Sequence, residues 1–81
     1  MTTAQDVADW MVAEVEVQGF LYQSKAVNHI AEHFGEEFTY RNEAGSLAIA
    51  APVLQAFHEL TKDTVFWDRW TKAWRLRAKT S

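Results

Sequence analysis

The segment around residues 29–33 carries the pattern in this sequence most typical of metal chemistry. His29, Glu32 and His33 form an H-x-x-E-H motif, in which two histidines bind zinc and the glutamate acts as general base. On a helix the two histidines lie one turn apart, as that chemistry requires. A catalytic zinc also needs a third ligand, and nothing in the sequence singles one out. We therefore expect a solvated histidine pair and no metal site.

Other groups capable of catalysis are few. Glu36 and Glu37 are adjacent, but carboxylates on a solvated loop rarely have the shifted pKa values that acid–base catalysis requires. Three glycines cannot supply a phosphate-binding loop, and the absence of cysteine excludes a thiolate nucleophile, a disulfide and a cysteine-bound zinc. We expect a domain that is not an enzyme, with no cofactor, no metal and no small-molecule ligand.

Charge divides unevenly along the chain. Residues 1–63 hold ten acids and three cations, whereas residues 64–81 hold one acid and five cations, including Lys79. A basic segment attracts phosphate groups or an acidic protein surface, which includes the acidic part of the same chain. The pI of about 5.5 disfavours a dedicated nucleic-acid-binding protein. The candidate contact residues for a partner or a nucleic acid are Arg69, Trp70, Lys72, Arg75 and Arg77.

Length and composition predict a single globular domain over residues 1–81. Nearly half of the residues (48%) are hydrophobic, and four tryptophans supply large side chains for a small core. The start of the chain lacks the basic and apolar regions of a signal peptide. The longest apolar run, residues 47–54, contains Pro52 and is too short to cross a membrane. We expect a cytoplasmic location and no membrane contact.

Hydrophobic spacing predicts two helices in the first half of the chain. The first covers residues 4–18, with a capping box that begins at Thr3 and a left-handed cap at Gly19. The second covers residues 24–34, with Ser24 as its N-cap.

Two further elements follow from turn-forming residues. A third helix is predicted over residues 52–61, because Pro52 suits a first turn. Apolar residues alternate on both sides of a cluster of turn-forming residues, which predicts a hairpin over residues 38–49. Residues 20–22 are long enough only for a small edge strand.

Residues 64–77 fit either a helix or a hairpin. As a helix, their tryptophans form one stripe. As a hairpin, Trp67 pairs with Trp74 and Val65 with Leu76, both pairs on the core face. The turn lacks a glycine, which argues against the hairpin, but the cross-strand pairs favour it. We predict the hairpin.

Helix, short strand, helix, helix and hairpin is the element order of a winged-helix domain. Between Gly19 and Arg77, the segments AVNHIAEHFG, VLQAFHELTKDTVFW and WRLR resemble a family of small uncharacterised bacterial domains, with an fG-ef-y-n-G pattern and a W…WR ending. The resemblance implies a winged-helix-like α+β fold and no specific activity. Seventeen residues separate Phe34 from Pro52, whereas a helix-turn-helix joins its helices through three or four.

Two functional hypotheses remain. The first is a non-enzymatic protein-interaction or accessory domain, which self-associates or binds another protein. We expect Tyr22, Phe66 and Trp70 to be exposed, and tryptophan, tyrosine and arginine are enriched at binding hot spots. The second is nucleic-acid binding through the basic hairpin as a wing, with phosphate contacts from its cations. Glu59 on the third helix argues against the second, because it repels phosphate.

Overall fold

Three α-helices and five short strands make up residues 2–77, the part of the chain that this computed structural model describes. The helices are α1 (Ala4–Gln18), α2 (Gln23–His33) and α3 (Ala51–Thr61), and a single 3-10 turn covers Glu36–Phe38. The strands are β1 (Phe20–Tyr22), β2 (Thr39–Arg41), β3 (Leu47–Ile49), β4 (Val65–Asp68) and β5 (Ala73–Leu76). The predicted α+β class, with three helices, a short strand and a C-terminal hairpin, is confirmed.

Helix α1 begins and ends as its sequence predicts. The Thr3 hydroxyl accepts the Asp6 backbone N–H at 3.2 Å, and the Asp6 carboxylate accepts the Thr3 backbone N–H at 2.9 Å. This reciprocal capping box satisfies two amides that the first turn leaves without partners. At the other end Gly19 has φ 84°, and its N–H donates to the Val15 carbonyl at 2.7 Å. A left-handed residue at this point stops the helix.

The predicted N-cap of α2 is wrong. The helix begins at Gln23, and Ser24 is already inside its first turn. Strand β1 runs directly into the helix through Tyr22, which occupies the cap position without a side-chain hydrogen bond. The Gln23 N–H instead donates to the carbonyl of Lys72 at 2.9 Å, so the neighbouring hairpin satisfies this amide.

The strands form two antiparallel sheets. Strand β1 pairs with β5, and β5 with β4, so the three-stranded sheet has the order β1–β5–β4. Strands β2 and β3 form the predicted hairpin between α2 and α3. Helix α1 packs against α3, and their apolar faces, with Ile30 and Leu21 from the intervening segments, enclose the core. None of the helices in residues 2–77 is long and apolar enough to cross a membrane.

The C-terminal hairpin has the predicted register but a different pattern of burial. Trp67 lies opposite Trp74, and Val65 opposite Leu76. Val65 is buried and Trp74 packs edge-on against Phe57 of α3 at 5.3 Å, whereas Trp67 is 42% exposed. The expectation that both pairs face the core is therefore only half met. Strand β4 is an edge strand of the sheet, and the ring centres of Trp67 and Trp74 are 4.9 Å apart.

Candidate interaction surface

The side of the three-stranded sheet that faces away from the core carries aromatic and arginine side chains. Alternation along the strands places Leu21 and Val65 inside and their neighbours outside. Phe20 of β1 and Phe66 of β4 both lie directly opposite Arg75 of β5. We call the outward-facing residues the aromatic–arginine face: Phe20, Tyr22, Phe66, Arg75 and Arg77.

Arginine and ring contacts link the members of the aromatic–arginine face. The Arg75 guanidinium lies 5.8 Å from the centre of the Phe20 ring, and that of Arg77 lies 5.9 Å from the Phe66 ring. Phe20 and Tyr22 meet edge to face at 5.1 Å. Such contacts between cations and rings are attractive and hold both partners in place.

The turn that joins β4 to β5 projects a tryptophan into solvent. Trp70 is 84% exposed, and the Arg69 guanidinium lies 5.3 Å from its ring centre. The turn forms without glycine for two reasons. The Asp68 carboxylate accepts the Trp70 N–H at 3.0 Å, and Lys72 takes the left-handed conformation with φ 54°. We refer to Arg69–Lys72 as the hairpin tip.

Asp68 joins the hairpin tip to the sheet. Its second carboxylate oxygen accepts the Arg75 Nε–H at 3.1 Å, and Arg75 also donates to the Thr71 hydroxyl at 3.4 Å. Desolvation raises the pKa of Asp68. Hydrogen bonds from the Trp70 backbone, Thr71 and Arg75 lower this pKa by more than desolvation raises it, so the pKa of Asp68 lies below its usual value. Arg75 is thus held by a charged partner and serves to position the hairpin tip.

The two histidines of the H-x-x-E-H segment take different positions on α2. The His29 ring stacks on the ring of Trp10 in α1, with ring centres 4.1 Å apart and an angle of 2° between the planes. The His33 side chain is exposed, and its ring centre lies 4.2 Å from that of His29. The expected solvated pair therefore holds for His33 and is wrong for His29. Burial lowers the pKa of His29 and the neighbouring His33 lowers it further, against the opposing effects of Glu14 and Glu32.

Metal binding gains no support from the neighbourhood of these histidines. Across residues 2–77 no three histidine, aspartate or glutamate side chains come together as a metal site requires. Glu32 lies 3.9 Å from the Nε2 of His33, and both side chains are exposed.

A groove opens beside the stacked His29, between α1, β1 and α2. Its volume is about 310 Å³. Its lining includes the aromatic rings of Trp10, Phe20, Tyr22 and His29, and Glu14 and Lys25 are its charged groups. The Gln18 amide donates to the Glu14 carboxylate at 3.2 Å. We call this cleft the α1–β1 groove.

Comparison with known families decides the chain's relationship. A model of a family of unknown function, DUF6953, matches residues 3–76. The chain belongs to this family. The match confirms the resemblance to a small uncharacterised domain family that the Gly19–Arg77 segments indicate. No curated protein and no solved structure matches the DUF6953 chain.

The structure brings the predicted contact residues of this DUF6953 domain together in two groups. Arg69, Trp70 and Lys72 are exposed at the hairpin tip, and Arg77 is exposed on the aromatic–arginine face. Arg75 is half-buried and paired, so it is not a free cation. Lys79, which the charge analysis counted, lies outside the described residues.

Pairing between the basic hairpin and the acidic part of the same chain is not observed in the described residues. The ion pairs within residues 2–77 join Glu59 to Lys62 and Asp68 to Arg75, and the Glu32 carboxylate lies 3.9 Å from the His33 ring nitrogen. Within residues 2–77 the exposed cations of the hairpin therefore form no ion pair with a carboxylate.

Sequence reasoning missed Phe20 as a surface residue. Residues 20–22 are identified as a short strand, but the sequence does not say which strand pairs with them. Once β1 lies beside β5, alternation turns Phe20 and Tyr22 outward and buries Leu21. The signal is present in the pattern Phe-Leu-Tyr, but it can be interpreted only when the pairing partner is known.

Proposed function

We propose that this DUF6953 domain is a non-enzymatic protein-interaction domain that binds its partner through the hairpin tip and the aromatic–arginine face. The observation that carries the proposal is Trp70, which is 84% exposed at the end of an ordered hairpin. A partner that covers the exposed indole ring stabilises the complex by roughly 25 cal/mol per Å² of apolar area removed from water. Tryptophan, tyrosine and arginine are also the residue types most often found at binding hot spots.

The surface is organised in advance of binding. Asp68 holds both the turn and Arg75, and the arginines stack on Phe20 and Phe66. A side chain that is already held in place loses less conformational entropy when a partner docks, so less of the interaction energy is lost on binding. These contacts, which position the turn and both arginines, support a recognition role for the hairpin over a purely connecting one.

The order of the elements supports a winged-helix architecture as part of this proposal. Strand β1 lies between α1 and α2 in the chain and pairs with β5, as the first and last strands of such a domain do. The β2–β3 hairpin is then an insertion between α2 and α3, which accounts for the seventeen-residue separation. In this arrangement β4–β5 is the wing, and wings commonly contact partners.

Retention experiments with matched variants test the proposed function. The immobilised domain, its Trp70→Ala variant and its Tyr40→Ala variant are each exposed to an extract of the source cell. Tyr40 is the control, because it is a 52% exposed aromatic residue on the other hairpin. We expect at least one protein to be retained by the wild type and by Tyr40→Ala and lost from Trp70→Ala. If no retained protein depends on Trp70, the proposal is wrong.

Nucleic-acid binding is the second candidate function, and one observation favours it. Arg69, Lys72 and Arg77 are exposed, and within residues 2–77 none of them forms an ion pair with a carboxylate. Three phosphate contacts predict that the logarithm of the binding constant falls with the logarithm of salt concentration with a slope of about −3. Titration of random duplex DNA at low and high salt measures this slope.

The structure also selects the variant for that titration. Arg69→Ala with Arg77→Ala removes two exposed cations and leaves the Asp68–Arg75 pair intact. We expect the double variant to bind DNA more weakly, with a salt slope reduced to about −1 because one phosphate contact remains. Absence of wild-type binding at low salt excludes this candidate function.

A further inference from the structure

We propose that the partner is a second copy of this chain, whose α1–β1 groove receives Trp70. This inference rests on the proposed function, because it uses the same hairpin tip. It adds the identity of the partner and the place where the tip docks.

Charge complementarity points to α1 as the acceptor. Helix α1 contains four acids, Asp6, Asp9, Glu14 and Glu16, and no lysine or arginine. The hairpin tip presents Arg69 and Lys72, with its one neighbouring acid, Asp68, already paired to Arg75. Oppositely charged surfaces on two copies attract one another and fix their orientation.

Charge favours the α1–β1 groove over two other clefts of the described residues. A larger cleft of about 480 Å³ lies between α3 and β4, but Lys62 and Arg77 line it and no acid does. A third, of about 600 Å³, is lined by Lys72 and by neutral polar and apolar groups, again without an acid. A basic tip is repelled from both of these clefts. In the α1–β1 groove Glu14 offsets Lys25, and the rest of α1 adds only negative charge.

The walls of the groove suit an indole ring. The stacked rings of Trp10 and His29 line the groove, and Phe20 and Tyr22 of the aromatic–arginine face line it as well, so four aromatic side chains surround this space. Aromatic rings pack well on such walls in stacked or edge-on arrangements. With Trp70 inserted, the adjacent Arg69 comes within reach of Glu14, whose carboxylate Gln18 already orients.

The contact joins two different surfaces, so each copy has one free tip and one free groove. Such a heterologous contact builds head-to-tail chains or rings rather than a closed symmetric dimer. Assembly therefore grows with protein concentration and weakens as salt screens the charges.

Sedimentation velocity on two complementary variants tests the inference. Trp70→Ala removes the tip and keeps the groove, whereas Glu14→Lys reverses the acid in the groove and keeps the tip. We expect the wild type to associate at micromolar concentration and each variant alone to be monomeric, with affinity weakened by about tenfold or more. An equimolar mixture of the two gives a discrete heterodimer and nothing larger, because only one competent tip–groove pair exists.

Two controls keep the test specific. Glu16→Lys makes the same charge change at an exposed position of α1 that does not line the groove, and Tyr40→Ala removes an exposed aromatic side chain elsewhere. Both should associate as the wild type does. Circular dichroism and urea unfolding check that each variant is folded, and Glu14→Gln replaces Glu14→Lys if the reversal unfolds the domain.

Three results overturn the inference. A wild type that stays monomeric overturns the inference. The proposed function still stands in that case if the retention experiment finds another protein whose binding depends on Trp70. Unchanged association of Trp70→Ala shows that copies meet through another surface. Association of the wild type without a heterodimer in the mixture shows that the groove is not the acceptor.

Discussion

Replacing each tryptophan of the C-terminal hairpin by alanine tests the fold on which the candidate surface depends. Trp74 is half-buried against Phe57 and Trp67, so its truncation should cost about 3 kcal/mol, at the lower end of the range for aromatic deletions in cores. Trp67 is 42% exposed, so its loss should cost about 2 kcal/mol. Trp70 is 84% exposed and should cost less than about 0.5 kcal/mol.

Urea unfolding measures these differences. For a domain of this size the free energy of unfolding falls by about 1 kcal/mol per molar urea, so the midpoint should drop by about 3 M for Trp74→Ala and about 2 M for Trp67→Ala. Trp70→Ala should unfold within about 0.5 M of the wild type. A helix over residues 64–77 would place all three side chains on one stripe and make their truncations similarly costly. Equal destabilisation at Trp70 and Trp74 would therefore refute the hairpin.

Four smaller perturbations probe the caps, the histidine stack and the turn. Thr3→Ala removes the capping box and should lower the free energy of unfolding by about 1 kcal/mol. Gly19→Ala forces a residue with a side chain into φ 84° and should lower it by about 1–2 kcal/mol. Thermal unfolding measures both changes, and an unchanged melting temperature would show that the cap in question does not stabilise α1. The pKa of His29 is lowered on folding, so its contribution to the free energy of unfolding is present above about pH 6.5 and is lost as the pH falls from there toward the folded-state pKa. NMR titration of the ring and urea unfolding at several pH values test this. A raised pKa of His29 would contradict it. Asp68→Asn weakens the hold on the turn and should speed hydrogen exchange at the Trp70 amide, while an unchanged rate would show that the turn does not depend on this carboxylate.

Local signals account for the parts of the fold that the sequence predicts well. The Thr3 and Gly19 caps, the helical spacing between them and the first-turn Pro52 each act within a few residues, so their positions can be read from neighbouring residues. The register of β4 and β5 is likewise local, because four turn residues join the two strands. The missing glycine was misleading, since Lys72 adopts the left-handed conformation itself.

Non-local contacts explain what the sequence did not predict. The start of α2 depends on a hydrogen bond from Gln23 to the distant Lys72 carbonyl, which makes a serine cap unnecessary. The exposure of Trp67 depends on the place of β4 at the edge of the sheet, and the role of Phe20 depends on the pairing of β1 with β5. The His29 stack on Trp10 joins two helices whose relative position no periodicity specifies.

Fluorine NMR of the domain labelled with 5-fluorotryptophan tests most directly whether Trp70 is the binding residue. The four tryptophans give four resonances, assigned with single Trp→Phe variants, and Trp70 should start with the largest solvent isotope shift because it is 84% exposed. We expect the Trp70 resonance to move and to lose that isotope shift as the protein concentration rises or a retained partner is added, while the Trp74 resonance stays in place. A Trp70 resonance that keeps its full isotope shift in the complex would contradict the account.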